Sequence, residues 1–136
     1  MSWEHFHHQA DAGVRGISDT LAGAFAEAGV ALTALVTEPD LVRPLVSVPV
    51  ETADEDPELL LVRFLNAIVY EMAVRKLLFH HYEVSIQGSH LTATAYGEPV
   101  DIERHQPAVE VKGATATELH VGFNNGRWVA QCVVDV

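Results

Sequence analysis

Arg127-Trp128-Val129-Ala130-Gln131-Cys132-Val133-Val134-Asp135-Val136 closes the 136-residue sequence. Its β-branched and aromatic residues, its period-two alternation and the Asn124-Asn125-Gly126 signal before it read as a buried strand entered through a hairpin. The apolar run continues to the last residue with no polar tail, so the strand is expected to stay ordered to Val136. The Val136 carboxylate then lies one residue from the Asp135 side chain. Two carboxylates at that spacing repel unless a cation or hydrogen-bond donors compensate them. A solvated Asp at a strand end accounts for the same residue without any ligand.

Working outward, residues 119–123 read as the hairpin partner of this strand, and residues 82–87 and 91–96 as two strands joined at Gly88-Ser89. A loop through Gly97-Glu98-Pro99 and Asp101 to His105 leads to Val109-Glu110-Val111-Lys112. Before these strands comes a helix with Asp56 as N-cap and Pro57 at the first position, where its missing N–H would be unpaired anyway. Leu61, Leu65, Ile68 and Met72 form its stripe, widened by Phe64 and Val69. Asn66 lies inside this apolar region, facing solvent or bonded to a neighbouring backbone group. Residues 46–50 read as an edge strand, since Pro49 has no amide to give a central ladder. An earlier helix begins at Ser18-Asp19-Thr20, shows one face through Leu21, Phe25, Ala28, Leu32 and Leu35, and stops at Thr37-Glu38-Pro39-Asp40. Residues 3–9 alternate as a first strand, and the segment from His8 to Gly16 reads as the turn and connection into the helix. Two long helices and late consecutive antiparallel strands place the chain in the α+β class. It is expected to be a single compact domain over residues 1–136 with a mostly antiparallel sheet.

A hydrophobic fraction of 49% and a mean hydropathy of +0.13 supply a sizeable core. No apolar run approaches the roughly 18 residues that span a membrane. Met1-Ser2-Trp3-Glu4-His5 lacks the basic and apolar regions of a signal peptide, so a cytoplasmic protein is expected. The single cysteine, Cys132, has no internal partner and reads as a small buried hydrophobe. Eight Lys and Arg stand against nineteen Asp and Glu, a net charge of −11. Polynucleotide binders need basic residues to replace phosphate counterions, so direct binding of RNA or DNA is disfavoured. Cations, or a basic protein partner, are favoured.

Three constellations bear on chemistry. His5 and His7 share a strand face and make a conceivable metal pair, but no partner at Cys or His spacing accompanies them. Asp101 and His105 suggest acid/base work, yet they flank a loop and lack a nucleophile; no Gly-x-Ser-x-Gly elbow or phosphate loop is present. The third set is oxygen donors. If the first and last strands are neighbours, Asp11, Asp135 and the Val136 carboxylate converge, a donor set suited to Ca²⁺ or Mg²⁺ with water completing the shell.

The sequence resembles the archease family. Phe6-His7-His8-Gln9-Ala10-Asp11-Ala12-Gly13 is similar to that family's Phe/Tyr-Glu-His-Thr-Ala-Asp-Ile/Val-Gly signature. The resemblance continues in Leu65-Asn66-Ala67-Ile68-Val69-Tyr70, in Gly97-Glu98 with Asp101 and His105, and in Glu110-Val111-Lys112-Gly113-Ala114-Thr115. It ends in Trp128 to Val136, similar to Trp-x-Ala-x-Val-x-x-Asp-Val, and so covers nearly the whole chain. His7, Gln9, Ala12 and Gly113 depart from the pattern; they flank Asp11 without removing it.

The resemblance implies a small α+β protein that is not itself an enzyme. It implies an accessory protein that activates a GTP-dependent RNA ligase of tRNA splicing or RNA repair, promoting guanylylation and multiple turnover. It also implies a metal held by Asp11, Asp135 and Val136, with Ca²⁺ the expected ion and Mg²⁺ the second choice. A chaperone-like partnership with a tRNA methyltransferase is the family's other implied role. A metal-dependent hydrolase would need a base beside the cation, for which only His8 and His105 qualify. A small-molecule binding module would need an apolar pocket.

Overall fold

The last strand, β8 (Arg127–Asp135), lies inside a sheet, as its composition requires. The computed structural model describes residues 1–136. One edge of β8 pairs antiparallel with β2 (Asp11–Ser18), which in turn pairs with β1 (Ser2–His8). The other edge takes β6 (Gly113–Ala114) and then β7 (His120–Asn124). Asn125 and Gly126 join β7 to β8 with φ of 54° and 79°. Both signs match the two-residue turn whose twist suits a hairpin, so the Asn-Gly signal is realised there.

β2 was read from sequence as a turn and connection, and it is instead a full strand between β1 and β8. Its glycines hide it. A Cβ on Gly16 would lie 2.0 Å from the Ala24 carbonyl oxygen and 2.4 Å from the Ala28 nitrogen, because a helix backbone rests on the strand there. A Cβ on Gly13 would lie 2.3 Å from the Phe6 ring. Glycine marks a close approach at both positions, where a sequence pattern suggests a turn. The first and last strands are therefore not neighbours.

A second sheet is antiparallel in the order β3 (Val46–Ala53), β5 (His90–Pro99), β4 (Leu77–Gln87). β3 is its edge, as Pro49 demands. β4 starts well before the expected residue 82, because Lys76 caps the preceding helix in the left-handed conformation and turns the chain straight into the strand. His80 and His81 consequently lie within β4, beside a register shift between Phe79 and His81.

α1 (Leu21–Val36) packs against both β2 and β4 and so fills the space between the two sheets. The Thr20 side chain accepts from the Gly23 amide at its start. α2 (Pro57–Arg75) has Asp56 as N-cap and Pro57 in its first turn, as read from sequence, and packs on β3 and β6. Leu61, Leu65 and Ile68 are buried as the stripe requires, joined by Leu60 and Phe64. Phe64 meets Phe25 of α1 at 6.1 Å and Tyr82 of β4 at 6.2 Å between ring centroids. The Tyr82 hydroxyl pairs with Thr33 at 2.7 Å, so the buried phenol has its partner. A short helix, α3 (Ile102–His105), occupies what was read as a loop. The architecture is α+β with antiparallel strands throughout, split into two sheets. No helix is long and apolar enough to cross a membrane.

Candidate metal centre

The β2–β8 register brings Ala12 opposite Val134, and one further step sets Asp11 beside Asp135. Directly opposed residues of an antiparallel pair project on the same face. The β1–β2 register places His8 opposite Asp11, and the β6–β8 register places Gly113 opposite Asp135. His8, Asp11, Asp135 and Gly113 thus form one row across four strands. A parallel row on the same face supports this alignment. There Arg15 donates to Gln131 at 2.8 Å and forms an ion pair with Glu4. Those contacts also commit the nearest arginine of the face.

Asp11 is half-buried and Asp135 exposed. No salt bridge of the molecule includes Asp11, Asp135 or Lys112. Like charges directly across a sheet destabilise it unless something neutralises them. The two carboxylates anticipated from sequence are therefore adjacent, but through β2 and not through the first strand. No three His, Cys, Asp or Glu side chains close around one point, so the side chains alone do not complete a cation shell. Two carboxylates are hard donors of the type an oxygen-bound divalent cation takes, and they would leave the rest of its shell to other oxygens and water.

The edge beside Asp135 is held from outside the sheet. The Lys112 amide donates to the Asp135 carbonyl at 2.8 Å. Asn66, at an exposed position of α2, accepts from the Ala114 amide at 2.8 Å and donates to the Ala114 carbonyl at 3.4 Å. The polar residue in the apolar stripe thus clamps the short strand β6 against the end of β8. The Thr115 hydroxyl and amide both donate to the Val133 carbonyl, continuing the clamp.

The other constellations have different fates. His105 is buried, and its Nδ1 accepts from the Asp101 amide at 2.8 Å, which places the ring proton on Nε2. Nε2 donates to Glu98 at 3.0 Å. Both nitrogens are thus committed to protein groups, and the Asp101 carboxylate accepts from the Arg104 amide as the α3 N-cap. Glu98, a buried carboxylate that the sequence offers only as part of a family motif and without a role, also accepts from Arg104 at 2.6 Å and from the Arg43 amide at 2.7 Å. The Arg104 guanidinium, with these other donors, holds its carboxyl down to about 2. His5 bonds the Ala31 carbonyl at 2.8 Å on the α1 face. His80 and His81 pair through their Nδ1 atoms at 2.8 Å. Cys132 is buried, and desolvation pushes its thiol up to about 12, so it behaves as a hydrophobe.

A family model, the Archease protein family, matches residues 3–136. The protein archease of Pyrococcus furiosus is 37% identical over 139 residues, covering 98% of both chains. That of Methanopyrus kandleri is 36% identical over 140 residues, covering 100% of both. The solution structure of Methanobacterium thermoautotrophicum protein 1598 superposes with a TM-score of 0.82 at 26% identity, covering 99% of each chain. The crystal structure of a Thermotoga maritima protein, described as an archease and possible chaperone, is similar in fold, with a TM-score of 0.67 at 13% identity. It covers 96% of this chain and 94% of that one.

Proposed function

The chain belongs to the archease family, and from that premise we propose that it activates a GTP-dependent RNA ligase of tRNA splicing or RNA repair. It promotes guanylylation of the ligase and many turnovers, and it is not a ligase itself. The observation that carries this reading is the pair Asp11 and Asp135, adjacent on one sheet face and without a protein cation. Asp11, Asp135 and the carboxylate of Val136 hold a divalent cation, for which oxygen donors alone rank Ca²⁺ first and Mg²⁺ second. When bound, the cation supplies positive charge that neutralises the row and fixes the exposed end of β8.

The protein's own residues supply the rest. A net charge of −11 suits docking on the basic face that a ligase presents to RNA, and complementary charge speeds encounter. Asn66 and Thr115 keep the edge beside Asp135 rigid, so the docking surface is ordered before contact. The same acidity keeps the protein from competing for the RNA.

The test is formation of the ligase–guanylate intermediate, and multiple-turnover joining of a 3′-phosphate RNA with GTP, with and without substoichiometric protein. Faster guanylylation and many turnovers per ligase are expected. Equal turnover in both arms sinks the activator role and leaves a chaperone-like partnership with a tRNA methyltransferase as the next reading. The apolar groove among Val36, Met72, Leu77, Val109 and Val111 favours that alternative, since client chains are held by apolar surface.

A further inference from the structure

We propose that His80 and His81 form a proton-operated latch at the edge of β4. One hydrogen bond holds the two rings together at neutral pH, and the second of two added protons breaks it and turns an imidazolium onto carboxylates across the neighbouring cleft. The latch is independent of the carboxylate row and of the ligase reading.

Side chains alternate along a strand, so neighbours ordinarily point to opposite faces. The register shift between Phe79 and His81 breaks that rule and leaves His80 without a partner on β5. Phe79 and Tyr82 both face the core, with their ring centroids 5.8 Å apart. The bulge thus turns the two residues between them, both half-buried, to the same side. Tyr96, opposite His81, stacks on its ring at 4.7 Å and 10°. His80 meets His81 edge-on at 87°, and their Nδ1 atoms come within 2.8 Å.

A contact of that length between two imidazole nitrogens needs one donor and one acceptor, so one Nδ1 carries a proton and the other a lone pair. A first added proton goes to the free Nε2 of the donor ring, leaves the bond intact and makes it charge-assisted. A second finds only the bridging lone pair. Two N–H groups and two like charges then face each other, and the rings must part. Burial, and after it the charge of His80, holds the His81 imidazole below its usual range, against the pull of Glu83.

The freed ring has a destination. Both histidines line a cleft of about 460 Å³ with Trp3 of β1, Glu27 of α1, and Glu38 and Asp40 at the single turn Pro39–Leu41. None of these three carboxylates belongs to a salt bridge. Desolvation raises the pKa of half-buried Glu27, opposed by the Met1 ammonium. On β1, His5 is tied to the Ala31 carbonyl and stands 5.1 Å from Trp3 between ring centroids. From β4 and β5, Glu83 and Tyr96 are the other titratable groups at the pair, and they share a hydrogen bond. An imidazolium drawn to Glu27, Glu38 and Asp40 closes the cleft and cancels the acidic charge it presents at neutral pH.

The test is ¹⁵N NMR of the histidine rings in the full chain, titrated from about pH 8 down to about pH 4. It compares the wild type, His80→Gln, His81→Gln and a triple variant carrying Glu27→Gln, Glu38→Gln and Asp40→Asn. Melting at neutral pH verifies that each variant is folded. The wild type is expected to show a scalar coupling between the two Nδ1 nuclei at neutral pH, and two titration steps at least about one pH unit apart. The coupling should vanish at the lower step, and the amides of Glu27, Glu38 and Asp40 should shift with it. Each single-histidine variant should titrate in one step, above the lower step of the wild type. In the triple variant the lower step should move to more acid pH. No coupling at neutral pH, or two independent steps at the ordinary histidine value, overturns the proposal. So does a coupling that persists through the lower step, because the rings then stay paired. A lower step unmoved in the triple variant, or silent amides across the cleft, overturns the closure. The coupling and the two steps are read on the wild type alone, so an unfolded variant does not shield the latch.

Discussion

A carboxylate removed from water needs donors in its place, and Glu98 has the Arg104 guanidinium, the Arg43 amide and the His105 imidazole. Its folded pKa of about 2 lies below the ordinary 4.5. The stabilisation is therefore complete above pH 4.5 and lost as pH falls through about 2. Melting temperature followed down through that window should fall in the wild type, and Glu98→Gln should melt lower at neutral pH with a shallower acid slope. Parallel slopes would remove Glu98 as the acid-labile group. Asp11 and Asp135 are the opposite case, carboxylates beside one another with no protein cation. Asp135 was visible in the sequence because it ends an apolar strand, whereas Asp11 was joined to it by the family resemblance, its own strand β2 reading as a turn. The role of Glu98 was not legible, because its donors come from residues 43, 104 and 105, and a Gly-Glu-Pro triplet by itself reads as a turn.

At the scale of elements, strong local signals were realised and tertiary compensation was invisible. Asp56-Pro57 starts α2 and Asn125-Gly126 turns the last hairpin because their physics is local. β2 escaped because Gly13 and Gly16 lack side chains for reasons that lie in Phe6 and in the backbone of α1. β6 escaped because two residues have no periodicity; Asn66 on α2 and the end of β8 hold it. The role of Asn66 leads to a prediction. Asn66→Ala should cost about 1 kcal/mol and lower the melting midpoint by roughly 3–5 °C. Amide exchange should accelerate at Ala114 and at Lys112, whose amides are tied to Asn66 and Asp135, more than at Val14 in the centre of β2. Uniform acceleration across the sheet would mean that Asn66 acts on global stability and not on the edge.

For the whole molecule, α1 separates two sheets, and the row of His8, Asp11 and Asp135 lies on the β2–β8 sheet. A site on a central strand pair is held rigidly, as the proposed docking of this surface requires. The excess of acid over base, legible from composition, gives that surface its long-range character. The proposed function makes the carboxylate row and its cation the features to which a partner ligase responds. Its most direct measurement is multiple-turnover joining of a 3′-phosphate RNA by the cognate ligase at limiting accessory protein, as divalent cation is titrated, for the wild type and Asp135→Asn. Since Asp135 is exposed and its charge faces Asp11, the variant should melt no lower than the wild type in EDTA. The account predicts activation that rises with cation in the wild type and is about tenfold weaker in the variant. Equal activation by the two proteins across the titration would contradict it.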